Sequence, residues 1–159
     1  MGVSEKRKVR QFIQRAGVAM LMTIDEQGGH AGRPMLPLLL DDDPHIYFLT
    51  HQSSRKVAQL AIQPRIGLTI TGAHCYVVVA GRANVLRDRA IIDQLWHPTY
   101  RAWFPRGKDD REAVALQVVV ERINYWEPPR SRVVRLGQAV WAFVTRRRVD
   151  TPMKTIDGL

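Results

Sequence analysis

The chain has 159 residues, 45% of them hydrophobic and 25% charged, and carries a formal net charge of +9. That length suits one domain with a single sizeable core, and no apolar stretch approaches the length of a transmembrane helix. Cys75 is the only cysteine, which excludes an intrachain disulfide and fits a reducing compartment. The N-terminus is basic but lacks the apolar segment of a signal peptide, so a cytoplasmic protein is expected. The charge raises the question of a nucleic-acid partner. Its cations are dispersed, with local clusters at Lys6-Arg7-Lys8, at 130–135 and at Arg146-Arg147-Arg148. None is interleaved with aromatics as a single-strand binding surface would be, and solvated faces are the simpler expectation.

In chain order, Val9, Phe12, Ile13 and Ala16 recur at helical spacing and predict a helix over 4–16, with Ser4 as a cap. Residues 19–25 read as a strand, and Glu26-Gln27-Gly28-Gly29 as a hairpin turn. A second strand is expected over 31–40, irregular or at an edge because Pro34 and Pro37 cannot donate to a ladder. A turn at Asp41-Asp42-Asp43-Pro44 leads to a third strand over 45–50. A short helix over 54–63 would bury Val57, Leu60 and Ala61, and Pro64 would end it. Strands over 65–71 and 75–86 follow, and Gly81 inside the second suggests a bulge or barrel bend. Asp88 can cap a helix carrying Ile91, Ile92, Leu95 and Trp96. A loop over 105–110 precedes a strand over 113–124, and an amphipathic helix is expected over 133–144. Many short strands with a few helices predict a mainly β, α+β domain built on a small closed barrel.

The most informative run is Tyr47 to Lys56. A strand-like segment ends at Thr50, then His51-Gln52-Ser53-Ser54 leads into Arg55-Lys56 where a helix should begin. Hydroxyls, cations and a helix N-terminus together suit a phosphate. Ser53 or Ser54 can cap the helix and donate to the phosphate. If strands two and three form a hairpin, Arg33 joins Arg55 and Lys56 on one anion, with Arg as a planar fork and Lys as a movable point charge. On the residues alone, a capped helix with a solvent-facing Arg-Lys pair explains the run equally well. No glycine-rich dinucleotide or P-loop motif is present. The five histidines lack metal-ligand spacing, and His51 reads as a turn residue facing water. Asp109-Asp110 reads as a loop cap before a catalytic pair, and Cys75 as a buried small hydrophobe.

An ordered set of motifs spans most of the chain: Gly32-Arg33-Pro34-Met35, Tyr47-Phe48-Leu49-Thr50 with Ser54-Arg55-Lys56, Val79-Ala80-Gly81-Arg82-Ala83, Leu95-Trp96, Trp103 to Asp110, and Tyr125-Trp126. Together they resemble the pyridoxamine 5'-phosphate oxidase-like family of FMN-binding split barrels, most closely its general stress protein 26 branch. The resemblance implies a homodimeric split β-barrel over the whole chain, with a core of about residues 5–128 and a C-terminal helix and basic tail over 129–159. It implies FMN, with FAD as the alternative, in two sites at the dimer interface. Arg33, Thr50, Ser53, Ser54, Arg55 and Lys56 would hold phosphate and ribityl chain. Pro34, Met35, Leu36 and Phe48 would line the isoalloxazine ring, and Trp103 would lie near it. The chain departs from the branch at Gly32, where Ser is usual, and in a loop made more basic by Arg106, Lys108 and Arg111. The resemblance implies a flavin oxidoreductase or a flavin-binding stress protein. Pyridoxamine-phosphate oxidation and a basic nucleic-acid-binding module are the alternatives.

Overall fold

A computed structural model describes residues 2–72, 75–127 and 153–159. Helix α1 (Gly2–Ala16) buries Val9 and Ile13, one turn apart, against the sheet. It starts before Ser4, so Ser4 lies inside the helix and does not cap it. Gly17, at φ +76, ends the helix in the left-handed conformation that costs glycine least. Strand β1 (Ala19–Ile24) buries alternate residues Ala19, Leu21 and Thr23. The Asp25 carboxylate accepts from the N–H groups of Gln27 and Gly29 in the turn to β2 (His30–Met35).

Strand β2 stops well short of residue 40, because Leu36-Pro37 breaks the ladder. Beyond the break, Leu38 and Tyr47 exchange both backbone hydrogen bonds at 2.8 Å as an isolated bridge. Strand β3 (Ile46–His51), helix α2 (Arg55–Ile62), β4 (Arg65–Gly72) and β5 (Cys75–Leu86) follow. Helix α3 (Arg89–Leu95) is capped by the Asp88 carboxylate, which accepts from Ala90 N. Two short 3-10 turns (Pro98–Ala102 and Gly107–Asp109) lead to the long β6 (Ala113–Trp126). Strand β7 (Lys154–Asp157) had no sequence signal strong enough to predict it. The helix expected over 133–144 and the basic clusters beyond residue 129 lie outside the described residues.

All strand pairs are antiparallel, in the order β2-β1-β4-β5-β6-β3, with β7 also on β6. The expected β2–β3 hairpin does not form. Strand β2 pairs with β1 and β3 with β6, so the two sit at opposite ends of the path. The two prolines explain this: Pro34 is tolerated only on an edge, and Pro37 ends the strand before it can turn back on β3. One edge of β6 is divided between partners, β3 along Ala113 to Val118 and β7 along Arg122 to Tyr125. The register of β5 against β6 shifts at Ala80/Gly81, leaving Glu121 without a partner on β5. A Cβ on Gly81 would lie 2.3 Å from the Val119 carbonyl oxygen. Glycine is therefore required here by close backbone approach, and the bulge bends the sheet.

The bent sheet encloses a main core that includes Leu21, Phe48, Leu68, Val79, Leu116 and Ile123. A second cluster forms under α3 and the first 3-10 turn, from Tyr47, Leu49, Ile92, Leu95, Tyr100 and Phe104. Strand β3 is buried on both faces: Ile46 and Phe48 enter the main core, Tyr47 and Leu49 the second. Tyr125 is fully buried, and its hydroxyl donates to Glu5 at 3.0 Å. Burial first, then that carboxylate, pushes its pKa up to about 12.

Gly81→Ala should cost about 2 kcal/mol in urea unfolding, because the methyl group meets backbone that cannot rotate away. Tyr125 keeps its proton in the fold while an unfolded tyrosine loses it. Its contribution is therefore complete below the ordinary value of 10.0 and is lost as pH rises toward about 12. The stability gap between wild type and Tyr125→Phe should shrink over that interval, measured by unfolding at each pH.

Candidate functional site

The two ends of the strand path meet at one cavity of about 510 Å³. Strand β2 and the residue after it contribute Arg33, Pro34, Met35 and Leu36; β3 contributes Leu49, Thr50 and His51. Lys56 of α2, Val18 before β1, and Tyr100, Trp103 and Phe104 complete the lining. Although β2 and β3 do not pair, the curl of the sheet brings Arg33 and Thr50 to one place.

Arg33 is held from below by neutral groups. One guanidinium nitrogen, Nη1, donates to the Thr23 hydroxyl at 2.7 Å, and Nη2 donates to Gln59 Oε1 at 3.1 Å. Thr23 in turn donates to Gln59 Oε1 at 2.6 Å. Lys56 Nζ donates to the Thr50 hydroxyl at 2.9 Å. Among the described residues, none of Arg33, Arg55 and Lys56 forms an ion pair with a carboxylate. Burial, reinforced by Arg55, lowers the pKa of Arg33; burial, reinforced by Arg33, lowers that of Lys56. Burial is the larger cause for both, and the neighbouring cation adds to it.

Ser54 occupies the N-cap position of α2, but its hydroxyl makes no capping bond. Its Oγ is buried with no partner among the described residues, as is Gln59 Nε2. An unsatisfied buried hydroxyl beside uncompensated cations at a helix start suits a bound anion with several oxygens. Ser53 is exposed, and its N–H donates to the Glu112 carboxylate at 3.2 Å. Arg55 is exposed outside the cavity wall.

The other end of the cavity is apolar and aromatic. Phe104 is 2% exposed and anchors the 3-10 segment, while Trp103 beside it is 56% exposed. His51 stacks on Phe104 with ring centroids 4.4 Å apart, and its Nε2 lies 2.9 Å from the Trp103 carbonyl oxygen. A carbonyl only accepts, so that nitrogen carries the proton. His51 thus pins the Trp103 loop to β3 and is not the water-facing turn residue expected. Phe48, expected beside the ring, lies wholly in the main core, and its neighbour Leu49 takes the cavity position. Asp110 caps the chain entering β6 by accepting from Glu112 N. Cys75 is buried, with its thiol pKa pushed up by burial and then by Glu127.

Sequence reasoning missed Val18, Leu49 and Tyr100 in the wall and Thr23 and Gln59 beneath Arg33. The last two carried a readable signal. Thr23 continues the inward-facing series Ala19, Leu21, and Gln59 sits beside Val57 and Leu60 on the buried face of α2. A polar residue on a buried face needs a polar partner.

The family described as pyridoxamine 5'-phosphate oxidase like matches residues 4–150 of this sequence. The chain belongs to that family. It is 28% identical over 125 residues to general stress protein 26 of Bacillus subtilis (strain 168), a match covering 75% of this chain and 86% of that protein. Its fold is shared with general stress protein 26 from Bacillus anthracis str. Sterne, at a TM-score of 0.69 and 20% identity over 76% of this chain and 92% of the other. It is also shared with the general stress FMN/FAD binding protein from Xanthomonas citri, at a TM-score of 0.70 and 23% identity over 81% and 92% of the respective chains. Among the described residues, no helix is long and apolar enough to cross a membrane.

Mutual repulsion among the cations has a measurable consequence. In phosphate-free buffer, Arg55→Ala should melt at or above the temperature of wild type, because an exposed neighbour of Arg33 has been removed. Added phosphate should raise the melting temperature of wild type more than that of the variant. A variant that melts clearly lower without phosphate would contradict the repulsion.

Proposed function

We propose that this protein binds FMN, with FAD as the alternative flavin, and works as a cytoplasmic homodimer in flavin-dependent redox chemistry linked to stress. One observation carries the reading: Arg33 and Lys56, with Arg55 just outside the wall, form no ion pair with a carboxylate among the described residues, and they stand at one end of a cavity whose remainder is apolar and aromatic. That is the polarity of a flavin mononucleotide, a dianionic phosphate joined to a large flat ring. The volume of about 510 Å³ lies within the range of roughly 300–1,000 Å³ usual for small-molecule sites. The family match and the FMN/FAD-binding description of the Xanthomonas citri protein support the choice of ligand.

Arg33 and Lys56 hold the phosphate by charge-assisted hydrogen bonds, and Arg55 adds charge at the α2 N-terminus. Ser54 Oγ supplies a hydroxyl that has no partner among the described residues. Pro34, Met35, Leu36 and Leu49 offer an apolar bed for the ring, and Trp103 shields it from water. A bound flavin supplies hydride or electron transfer at its ring, while the protein supplies binding, orientation and electrostatics. His51 fixes the Trp103 loop through its Nε2 proton and holds the aromatic wall in place. Val18, Leu36 and Trp103 remain 49%, 41% and 56% exposed around the cavity. A second copy of the chain would cover them and close the site.

The purified protein should show the visible absorption of flavin after incubation with FMN, co-eluting with a dimer in gel filtration. Replacing Arg55 and Lys56 together by Ala should weaken FMN about a hundredfold, since the charge-assisted contact from Lys56 is worth roughly 1.5–3 kcal/mol and Arg55 adds only longer-range charge. Riboflavin, which lacks the phosphate, should be little affected. Equal losses for both ligands would refute the phosphate role of this pair.

A further inference from the structure

We propose that Thr23 and Gln59 form a charge-neutral cradle that presents Arg33 to a phosphate and thereby sets the preference of the site for phosphorylated over unphosphorylated ligands. The identification of that ligand as FMN rests on the flavin reading above. Both residues are almost wholly buried, Thr23 at 0% and Gln59 at 1% exposure. Neither lines the cavity, so they act through Arg33 as positioning residues.

The hydrogen-bond directions are fixed by chemistry. A guanidinium can only donate, so the Thr23 hydroxyl accepts from Nη1 and has its single proton left for another acceptor. The closest acceptor is Gln59 Oε1, at 2.6 Å, with the Ala31 carbonyl at 3.4 Å. Gln59 Oε1 also receives Arg33 Nη2 at 3.1 Å. Two donors on one oxygen fix the amide orientation and turn Nε2 away from the guanidinium, where it has no partner among the described residues. Thr23, Gln59 and Arg33 thus close a three-membered ring of hydrogen bonds on β1, α2 and β2. It fixes the plane of the guanidinium before any ligand arrives.

The identity of the acceptors decides what that plane can do. A partly buried arginine is usually met by a carboxylate, which would hold it equally well but cancel its charge. A hydroxyl and an amide oxygen hold it without cancelling anything. Lys56 is treated in the same way, since its acceptor is the Thr50 hydroxyl. The positive charge is therefore available to a ligand, and a dianion gains most from it. A phosphate-free ligand of the same shape gains nothing from the cradle.

The test compares wild type, Thr23→Val, Thr23→Ser and Gln59→Glu. Affinities for FMN, riboflavin and inorganic phosphate are measured by calorimetry or fluorescence, and the fold of each variant is checked by circular dichroism. Thr23→Val keeps the shape but removes the hydroxyl, so FMN and phosphate should weaken about tenfold, the cost of one hydrogen bond to a charged group. Riboflavin should stay within about twofold of wild type, as it makes no use of that bond. Thr23→Ser should restore the preference. Gln59→Glu keeps the hydrogen bonds and supplies a carboxylate, so FMN and phosphate should weaken at least as much, with riboflavin again unchanged.

If wild type prefers FMN to riboflavin and that ratio is unaltered in Thr23→Val and Gln59→Glu, the cradle is refuted and the flavin reading stands. If wild type binds phosphate in a manner that Thr23→Val abolishes, yet binds neither flavin, the cradle stands and the flavin reading is refuted. Parallel loss of FMN and riboflavin in folded Thr23→Val would mean a structural role alone, and would also refute the cradle.

Discussion

The site depends on an electrostatic constraint: cations that meet at the seam of a curled sheet, with no carboxylate among the described residues to neutralise them. Like charges brought to one place repel, and burial that removes water from around them strengthens the repulsion. A fold seldom tolerates this without a reason. Here the arrangement is held by groups that can accept hydrogen bonds without adding negative charge, namely the Thr23 and Thr50 hydroxyls and the Gln59 amide. On the proposed reading, the stability forgone by gathering these cations would become affinity for an anion.

The rest of the architecture places that seam. Gly81 and the register shift beside it allow the long β5–β6 pair to bend. The bend carries β2 and β3, the two ends of the strand path, to the same cavity. Strand β3 is buried on both faces, which fixes Thr50 and Leu49 relative to two cores at once. On the apolar side, Phe104 anchors the 3-10 segment and His51 ties its backbone to β3, so exposed Trp103 projects from a rigid base.

Much of this was legible in the sequence. Hydrophobic periodicity located α1, β1, β4 and β5, and Asp88, Gly81 and Pro34 announced a cap, a bulge and an edge. The ordered motifs indicated the family, and the family match agrees. What failed was long-range geometry. Arg33 and Thr50 do converge, but through closure of the whole sheet and not through a local hairpin, and strand periodicity carries no information about which strands become neighbours. Leu49 lines the cavity in place of Phe48 for a similar reason. A strand buried on both faces shows no alternation, so nothing in Ile46 to Leu49 says which side the cavity occupies. Strand β7 is only four residues long and is specified by its pairing with β6. His51 looked like an exposed turn residue because its partner, Phe104, lies 53 positions later in the chain.

The state of the bound phosphate tests the central claim most directly. The second ionisation of a free phosphate monoester lies near pH 6. Surrounded by uncompensated cations, the dianion should be favoured strongly and that ionisation displaced to lower pH. Phosphorus NMR of the FMN complex should therefore show a bound resonance that stays at its dianion position from about pH 7 down to about pH 5, while free FMN in the same tube titrates near 6. A bound resonance that moves in step with the free one would contradict the account.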